Sequence, residues 1–165
     1  GDPWFTGFWG GNYIGRISLS TQKVLIYPLP VARGTASPVA VTQSGPWEIL
    51  ADAQGRIVVN EYFDSTLSRF DPVRKDDAAC LSLDALGKNP CIAEFNIPGA
   101  NLGKHFPHTI AKEKTGRIWF THSSVSFYGL DPVVEATLGV TTPDLSQIYM
   151  LPGFRRLPNL ADQTG

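Results

Sequence analysis

Short apolar and aromatic runs, separated by turns rich in glycine and proline, follow one another along most of the chain. Tyr13 to Ser18 alternates in the manner of a strand, and Arg56 to Asn60 and Thr66 to Phe70 are runs of similar length. The 165 residues include 16 glycines and 13 prolines, which separate such runs. Runs of this length and punctuation are typical of strands. The pattern predicts an all-β fold, with Ala78 to Leu86 as its one helical turn.

Three segments of the chain resemble one another. Thr115 to His122 reads Thr-Gly-Arg-Ile-Trp-Phe-Thr-His, and Gln54 to Glu61 repeats its turn, its Arg-Ile start and its polar end. Trp4 to Thr6 repeats its Trp-Phe-Thr centre. Similarity at intervals along a chain is typical of proteins built from repeated units. We therefore divide the chain into units.

The units are sets of up to four predicted strands. Residues 1–30 hold three strands, residues 45–98 hold a full unit with an insertion at 73–90, and residues 106–152 hold a third unit. The strands predicted in the third unit are His108 to Lys112, Arg117 to Thr121, Val125 to Leu130 and Gln147 to Leu151. Residues 155–165 are predicted to begin a further blade, because Leu160 to Gly165 resembles Leu50 to Gly55.

Four-stranded units of this kind predict the blades of a β-propeller. A single small sheet cannot bury both of its faces, so blades stack around an axis with large side chains between them. About three blades are present, whereas propellers have about four to eight. We expect a partial propeller that a six- or seven-bladed ring completes, with the remaining blades coming from the same polypeptide or from a second copy.

Composition and charge exclude some partners. Hydrophobic residues make up 42% of the chain, enough for a buried core, and the formal net charge is -1. The sequence has no basic stripe that would follow a phosphate backbone and no apolar run long enough to span a membrane. Nucleic acid and a membrane span are therefore not expected.

Of the two cysteines, Cys80 lies in the insertion of the second unit and Cys91 directly follows it. A disulfide would close this loop and would indicate an extracellular or periplasmic protein. A metal pair is a weaker alternative, because structural zinc usually takes four ligands at closer spacing. Two unpaired buried thiols are the third interpretation.

Several motifs resemble a known group of propellers. They are Pro107-His108-x-Ile110-Ala111, Gly116 to Thr121, Asn12 to Ile17, and Tyr27 to Pro30. In order and in the turns between them, these motifs resemble blades of the virginiamycin B lyases, or streptogramin lyases, and more distantly the gluconolactonase-like and NHL-repeat propellers. The resemblance implies opening of a cyclic depsipeptide lactone by elimination, with a divalent cation such as magnesium and a histidine base. It also implies a small cyclic ester as substrate.

The same resemblance places active residues where the first strand of a blade starts and the second ends. His108 matches the histidine position of the third unit and Glu61 the acidic position of the second. The acidic position of the third unit is His122, and the histidine position of the second is Trp47. We take His108, His122 and Glu61 as candidate catalytic residues.

We expect a metal site at the same positions, because the start of the first strand and the end of the second strand of each blade lie close to the propeller axis. Imidazole and carboxylate groups together suit a metal or a base beside an electrophile. The candidate ligands are His108, His122, Glu48 and Glu61. His105 is assigned to a loop. The simpler interpretation is that these groups form hydrogen bonds between blades.

The competing hypothesis is a non-catalytic propeller that serves as an interaction or scaffold module for another protein. Phe8, Trp9 and Tyr13 are interpreted chiefly as blade packing. A platform for a sugar or a partner is the alternative.

Overall fold

The computed structural model describes residues 1–30, 44–98, 105–124 and 136–151, which form three antiparallel sheets. Sheet A has the order β1-β2-β3, sheet B the order β4-β5-β6-β7, and sheet C the order β8-β9-β10-β11. The strands are β1 (Trp4–Gly7), β2 (Tyr13–Ser18), β3 (Lys23–Pro28), β4 (Pro46–Ala51), β5 (Ile57–Glu61), β6 (Thr66–Phe70), β7 (Ile92–Asn96), β8 (His105–Lys112), β9 (Ile118–Ser124), β10 (Ala136–Thr141) and β11 (Ile148–Met150). The predicted all-β partial propeller is confirmed.

One strand of the third unit was predicted wrongly. The third strand of sheet C is β10, Ala136–Thr141, which pairs with β9. The sequence places this strand at Val125 to Leu130, residues that lie outside the described ranges, as does the predicted strand within residues 155–165. Among the described residues, no helix is both long enough and apolar enough to cross a membrane.

The first hairpin of sheet B and that of sheet C are closed by the same turn chemistry. Asp52 Oδ1 accepts hydrogen bonds from the backbone N–H groups of Gln54 and Arg56, both at 2.9 Å. The Arg56 side chain also donates from Nε to Asp52 Oδ2 at 2.6 Å, and in sheet C the Arg117 side chain donates from Nε to Glu113 in the same way. Each turn needs a residue in the left-handed region, supplied by Gly55 at φ 78° and Gly116 at φ 90°. The repeated Gly-Arg-Ile signal is therefore turn and strand chemistry.

Cross-strand pairs show which strands of the three sheets correspond. Phe120 on β9 faces Gly139 on β10, and Phe5 on β1 faces Gly15 on β2. A Cβ atom at either glycine would lie 2.0 to 2.2 Å from the opposing ring. Thus β1 corresponds to β9, the second strand of sheet C. Among the described residues, sheet A has no counterpart of β4 and β8.

The core lies between the sheets in two clusters. Val59 of β5 packs with Ile14 and Tyr27 of sheet A, whereas its neighbour Val58 packs with Ile110 and Phe120 of sheet C. Adjacent residues of a strand point to opposite faces, so sheet B is covered on both sides. This explains why β5 is buried along its entire length.

The insertion of the second unit contains two short 3-10 helices, Pro72–Arg74 and Ala78–Leu81. The second of them begins the segment that was predicted to form a helical turn. Cys80 and Cys91 form a disulfide, which confirms this interpretation over a metal pair or free thiols.

Candidate functional site

Sheets B and C both begin with an irregular strand at the same position. The pairing of β4 with β5 shifts between Pro46 and Ile49, and the pairing of β8 with β9 shifts between Pro107 and Ile110. A bulge adds a residue to one strand and re-aims the side chains beside it. Trp47 and His108, each directly after the proline, are both exposed. The prolines and bulges therefore present the histidine position of each blade to solvent.

Asn60, near the end of β5, fixes both bulges. Its Oδ1 accepts from the backbone N–H of Glu48 at 2.7 Å within sheet B. Its Nδ2 donates to the carbonyl oxygens of Pro107 and His108 in sheet C, each at 2.9 Å. In sheet A the corresponding residue, Thr6, donates to the carbonyl of Trp47 at 3.0 Å. In sheets A and B, a polar side chain near the end of the second strand thus holds the bulge of the next sheet.

The ring of His108 lies among aromatic side chains. Its centroid is 4.8 Å from that of Trp47 and 5.9 Å from that of Tyr62. The backbone beneath the ring is held by Asn60, and Thr109 Oγ1 lies 3.5 Å from Nδ1. An exposed imidazole with a fixed backbone can exchange a proton with a bound molecule.

The surroundings of His108 belong to a larger group of rings, which we call the aromatic face. Phe8 contacts Trp47, with ring centroids 4.6 Å apart, and Tyr62 stacks on Phe106 at 4.6 Å. Trp9 retains 79% of its surface exposed and Trp47 retains 38%. The aromatic face consists of Phe8, Trp9, Trp47, Tyr62, Phe63, Phe106 and His108. Trp9, Trp47 and His108 are its exposed members, whereas Tyr62 and Phe106 are buried beneath them. Exposed rings grouped on one surface are typical of binding sites.

Four rings of the aromatic face come from turns at one end of the sheets, whereas Trp47, Phe106 and His108 belong to β4 and β8. The turn after β1 carries Phe8 and Trp9, and the turn after β5 carries Tyr62 and Phe63. The latter turn is held by backbone hydrogen bonds from Tyr62 to Gly45 and from Phe63 to Ser44, both 2.8 Å long. Loops fixed in this way can present rings without a large ordering cost.

Glu61 ends β5 but does not reach solvent. Its exposed fraction is 0%, and Ser68 Oγ donates a hydrogen bond to its Oε1. Burial raises the pKa of Glu61 to about 8, and the hydrogen bond from Ser68 opposes part of this rise. The carboxyl group is therefore protonated in neutral solution.

The other candidate residues also have structural partners. His122 is 4% exposed and lies beside Thr137, whose Oγ1 donates to the His122 carbonyl at 3.2 Å. Glu48 Oε2 accepts from the backbone N–H of Ile110 in sheet C at 2.7 Å. His105 begins β8 and does not lie in a loop. Of the predicted residues with described side chains, His108 is the one exposed on the aromatic face.

The four candidate ligands do not fit a divalent cation well. Glu61 is buried and accepts a hydrogen bond from Ser68, and Glu48 accepts one from the backbone N–H of Ile110. Within the described residues, the single set of three metal-type ligands in mutual reach is Asp77, Cys80 and Cys91. That set includes both sulfurs of the disulfide. A magnesium site requires several free oxygen ligands around one point.

Neither a protein-family model nor a curated protein matches the chain. Solved structures do. Virginiamycin B lyase from Staphylococcus aureus is 20% identical with a TM-score of 0.49, and a streptogramin B lyase is 20% identical with a TM-score of 0.47. A catalytically inactive variant of the Staphylococcus aureus enzyme with quinupristin is 17% identical with a TM-score of 0.48.

Each of these matches covers 92% of this chain but about half of the other, 51% to 52%. These structures belong to the group that the sequence motifs resemble.

Sequence analysis missed most of the aromatic face and the role of Asn60. Phe8 and Trp9 were assigned mainly to blade packing, and Tyr62, Phe63 and Phe106 were not singled out. One signal was present: the spacing Pro-x-x-Ile occurs at Pro46 to Ile49 and again at Pro107 to Ile110. It marks the two bulges and so the two positions presented to solvent.

Proposed function

We propose that this chain supplies part of the ligand-binding face of a β-propeller lyase, and that the ligand is a small cyclic ester. The observation that carries the proposal is the exposed imidazole of His108 within the aromatic face. Exposed rings would bind the apolar part of a cyclic ester, and a fixed histidine beside them would act on its polar part.

In the proposed reaction His108 acts as a general base. A neutral imidazole nitrogen takes a proton from the carbon next to a carbonyl, and the electron pair left behind forms a carbon–carbon double bond. The bond between the ester oxygen and the carbon that joins the new double bond breaks, and the ester group leaves as a carboxylate. The ring therefore opens without added water. Because the described candidate ligands do not fit a cation, no step of this proposal passes through magnesium.

The proposal gives Glu61, His122 and Glu48 positioning roles. Glu61 directly precedes Tyr62 and Phe63, and Glu48 holds the backbone beyond the bulge that presents His108. None of the three would touch the substrate. The disulfide supports an exported protein, because such bonds persist mainly in oxidising compartments.

The test is ring opening of a cyclic depsipeptide by a protein with its full set of blades, with and without a chelator. We expect His108→Gln to lower kcat by about 100-fold, the usual contribution of a general base. Trp9→Ala should raise KM and leave kcat nearly unchanged. Lys114→Ala, at the opposite end of the β8–β9 hairpin, is the matched control. Unchanged turnover in His108→Gln would rule out the base role.

The second candidate is a non-catalytic binding module. It is favoured by the structural hydrogen bonds of Glu48 and by the burial of Glu61 and His122. In that case the wild-type protein would bind a cyclic ester or a partner protein without product formation. Trp9→Ala would weaken this binding, and neither the wild type nor His108→Gln would form product.

A further inference from the structure

The insertion between β6 and β7 belongs to sheet B in sequence, but its polar contacts reach sheet A. Lys75 O accepts a hydrogen bond from Tyr27 Oη at 2.6 Å. Asp76 Oδ1 accepts from Arg16 Nη2 at 3.0 Å, and Asn89 Nδ2 donates to Pro28 O at 2.8 Å. The insertion therefore joins two sheets at three separate points.

The side chain of Asn89 connects this contact to the disulfide. Besides Pro28 O, its Nδ2 donates to Cys80 O at 2.9 Å, and its Oδ1 accepts from Cys91 N at 2.9 Å. Asn89 is buried, so these bonds are not exchanged for water. Moving the insertion off sheet A would disturb the backbone of both cysteines.

Arg16 of sheet A makes a charged contact with the insertion. This contact exists only while the insertion is docked on sheet A. The Arg16 side chain is buried, with Asp76 at 3.0 Å and Asp2 at 3.6 Å. A buried cation without close partners is unfavourable. Removal of Asp76 would leave Arg16 with the more distant carboxylate.

The disulfide is sealed by the same packing. Cys80 is 0% exposed and Cys91 is 8% exposed, and both lie in the cluster between sheets A and B with Tyr27 and Leu29. Thiol–disulfide exchange requires a thiolate to reach a sulfur directly. A reductant can therefore attack after the insertion has moved away from sheet A.

We propose that residues 72–91 form a redox-sensitive clasp between sheets A and B, docked while Cys80 and Cys91 are joined and released when a dithiol reduces them. One thiolate of the dithiol attacks Sγ of either cysteine and forms a mixed disulfide. The second thiol of the reductant then attacks the reductant's own sulfur in the mixed disulfide. The reductant leaves as a disulfide, and the two cysteines, which have gained two electrons and two protons, become thiols. Docking and the disulfide stabilise each other, because each restricts the same loop.

The first test measures how fast dithiothreitol reduces the bond in the protein under native conditions, by trapping free thiols over time. We expect Asp76→Ala, which loses one hydrogen bond, to speed reduction by about tenfold, and Asn89→Ala, which loses three, to speed it by at least about tenfold. Leu86→Ala, in the exposed part of the same insertion, should react like the wild type. Equal rates in all four proteins would overturn the proposal.

The second test locates the loosening. Hydrogen exchange is compared between the oxidised protein, the reduced protein and Cys80→Ser/Cys91→Ser. We expect faster exchange in β3 of the two forms without the disulfide, and unchanged exchange in β9. Unchanged exchange in β3, or an equal increase in all three sheets, would contradict a clasp on sheet A. The reduction rate of Asp76→Ala tests the proposal even if Cys80→Ser/Cys91→Ser does not fold.

Discussion

Glu61 lies fully buried at the end of β5, on the strand face that also carries Val59. Burial raises its pKa to about 8 from an ordinary value of 4.5, against the opposing hydrogen bond from Ser68. At neutral pH the carboxyl group is therefore protonated in the folded protein and ionised in the unfolded chain. A residue that matches an acidic catalytic position is here a neutral group of the core.

This burial predicts an unusual dependence of stability on pH. Because the folded pKa is raised, the contribution of Glu61 is fully present below about pH 4.5 and is lost as the pH rises to about 8. We expect the free energy of unfolding to fall by about 3 to 5 kcal/mol across this window relative to Glu61→Gln, which cannot ionise. Urea unfolding at several pH values measures the difference.

Glu113→Gln is the control for this experiment. Hydrogen bonds from Arg117, Thr115 and Trp119 lower the pKa of Glu113 to about 2, so its titration lies below the window. The difference between wild type and Glu113→Gln should stay constant from pH 5 to 8. If Glu61→Gln behaves in the same way, the Glu61 carboxyl is ionised in the folded protein.

At the level of single strands, the hairpin signals predicted most of the fold. The Gly-Arg-Ile turns located the starts of β5 and β9 within one residue, because turn chemistry is local. The third strand of sheet C was missed because β10 contains Gly139, a residue that normally weakens strand interiors. Glycine is needed at position 139 because the ring of Phe120 occupies the space that a side chain there would need. This reason lies in the packing between strands and not in the local sequence.

The Phe120–Gly139 pair predicts a compensating substitution. Sheet B has Val59 opposite Ser68 at the corresponding position. Gly139→Ser alone should destabilise by about 1 to 3 kcal/mol through overpacking, and Phe120→Val alone by about 1 to 3 kcal/mol through a cavity. The double variant recreates the pair of sheet B. We expect it to be more stable than the sum of the single losses by about 1 kcal/mol or more.

Denaturant unfolding of the four proteins completes the double-mutant cycle. Strict additivity would mean that the ring of Phe120 and the backbone of Gly139 do not share one packing space in solution.

At the scale of the whole molecule, the repeat predicted the propeller but not the site. Four residues were expected to converge at the axis, yet Glu61 and His122 are buried and Glu48 binds the backbone of the next sheet. Which way a side chain points beside a bulge depends on the local register. That register depends on contacts between sheets, such as those of Asn60, which no single strand contains.

Asn60 provides the last prediction, because two of its hydrogen bonds join sheet B to sheet C and a third holds the bulge of β4 within sheet B. Asn60→Ala would leave the backbone N–H of Glu48 and the carbonyl groups of Pro107 and His108 without this partner. We expect a loss of about 2 to 4 kcal/mol in the free energy of unfolding, since each unsatisfied buried group costs about 1 kcal/mol or more. Chemical denaturation followed by circular dichroism measures this loss.

Asn60→Thr is the informative comparison, because the corresponding residues in sheets A and C are Thr6 and Thr121. Thr6 Oγ1 donates to the carbonyl of Trp47, and Thr121 Oγ1 accepts from the N–H of Thr109. A threonine at position 60 can therefore replace one bond in each direction, and we expect it to recover about half of the stability lost in Asn60→Ala. An equal loss in both variants would show that packing volume, and not hydrogen bonding, joins sheet B to the bulge that presents His108.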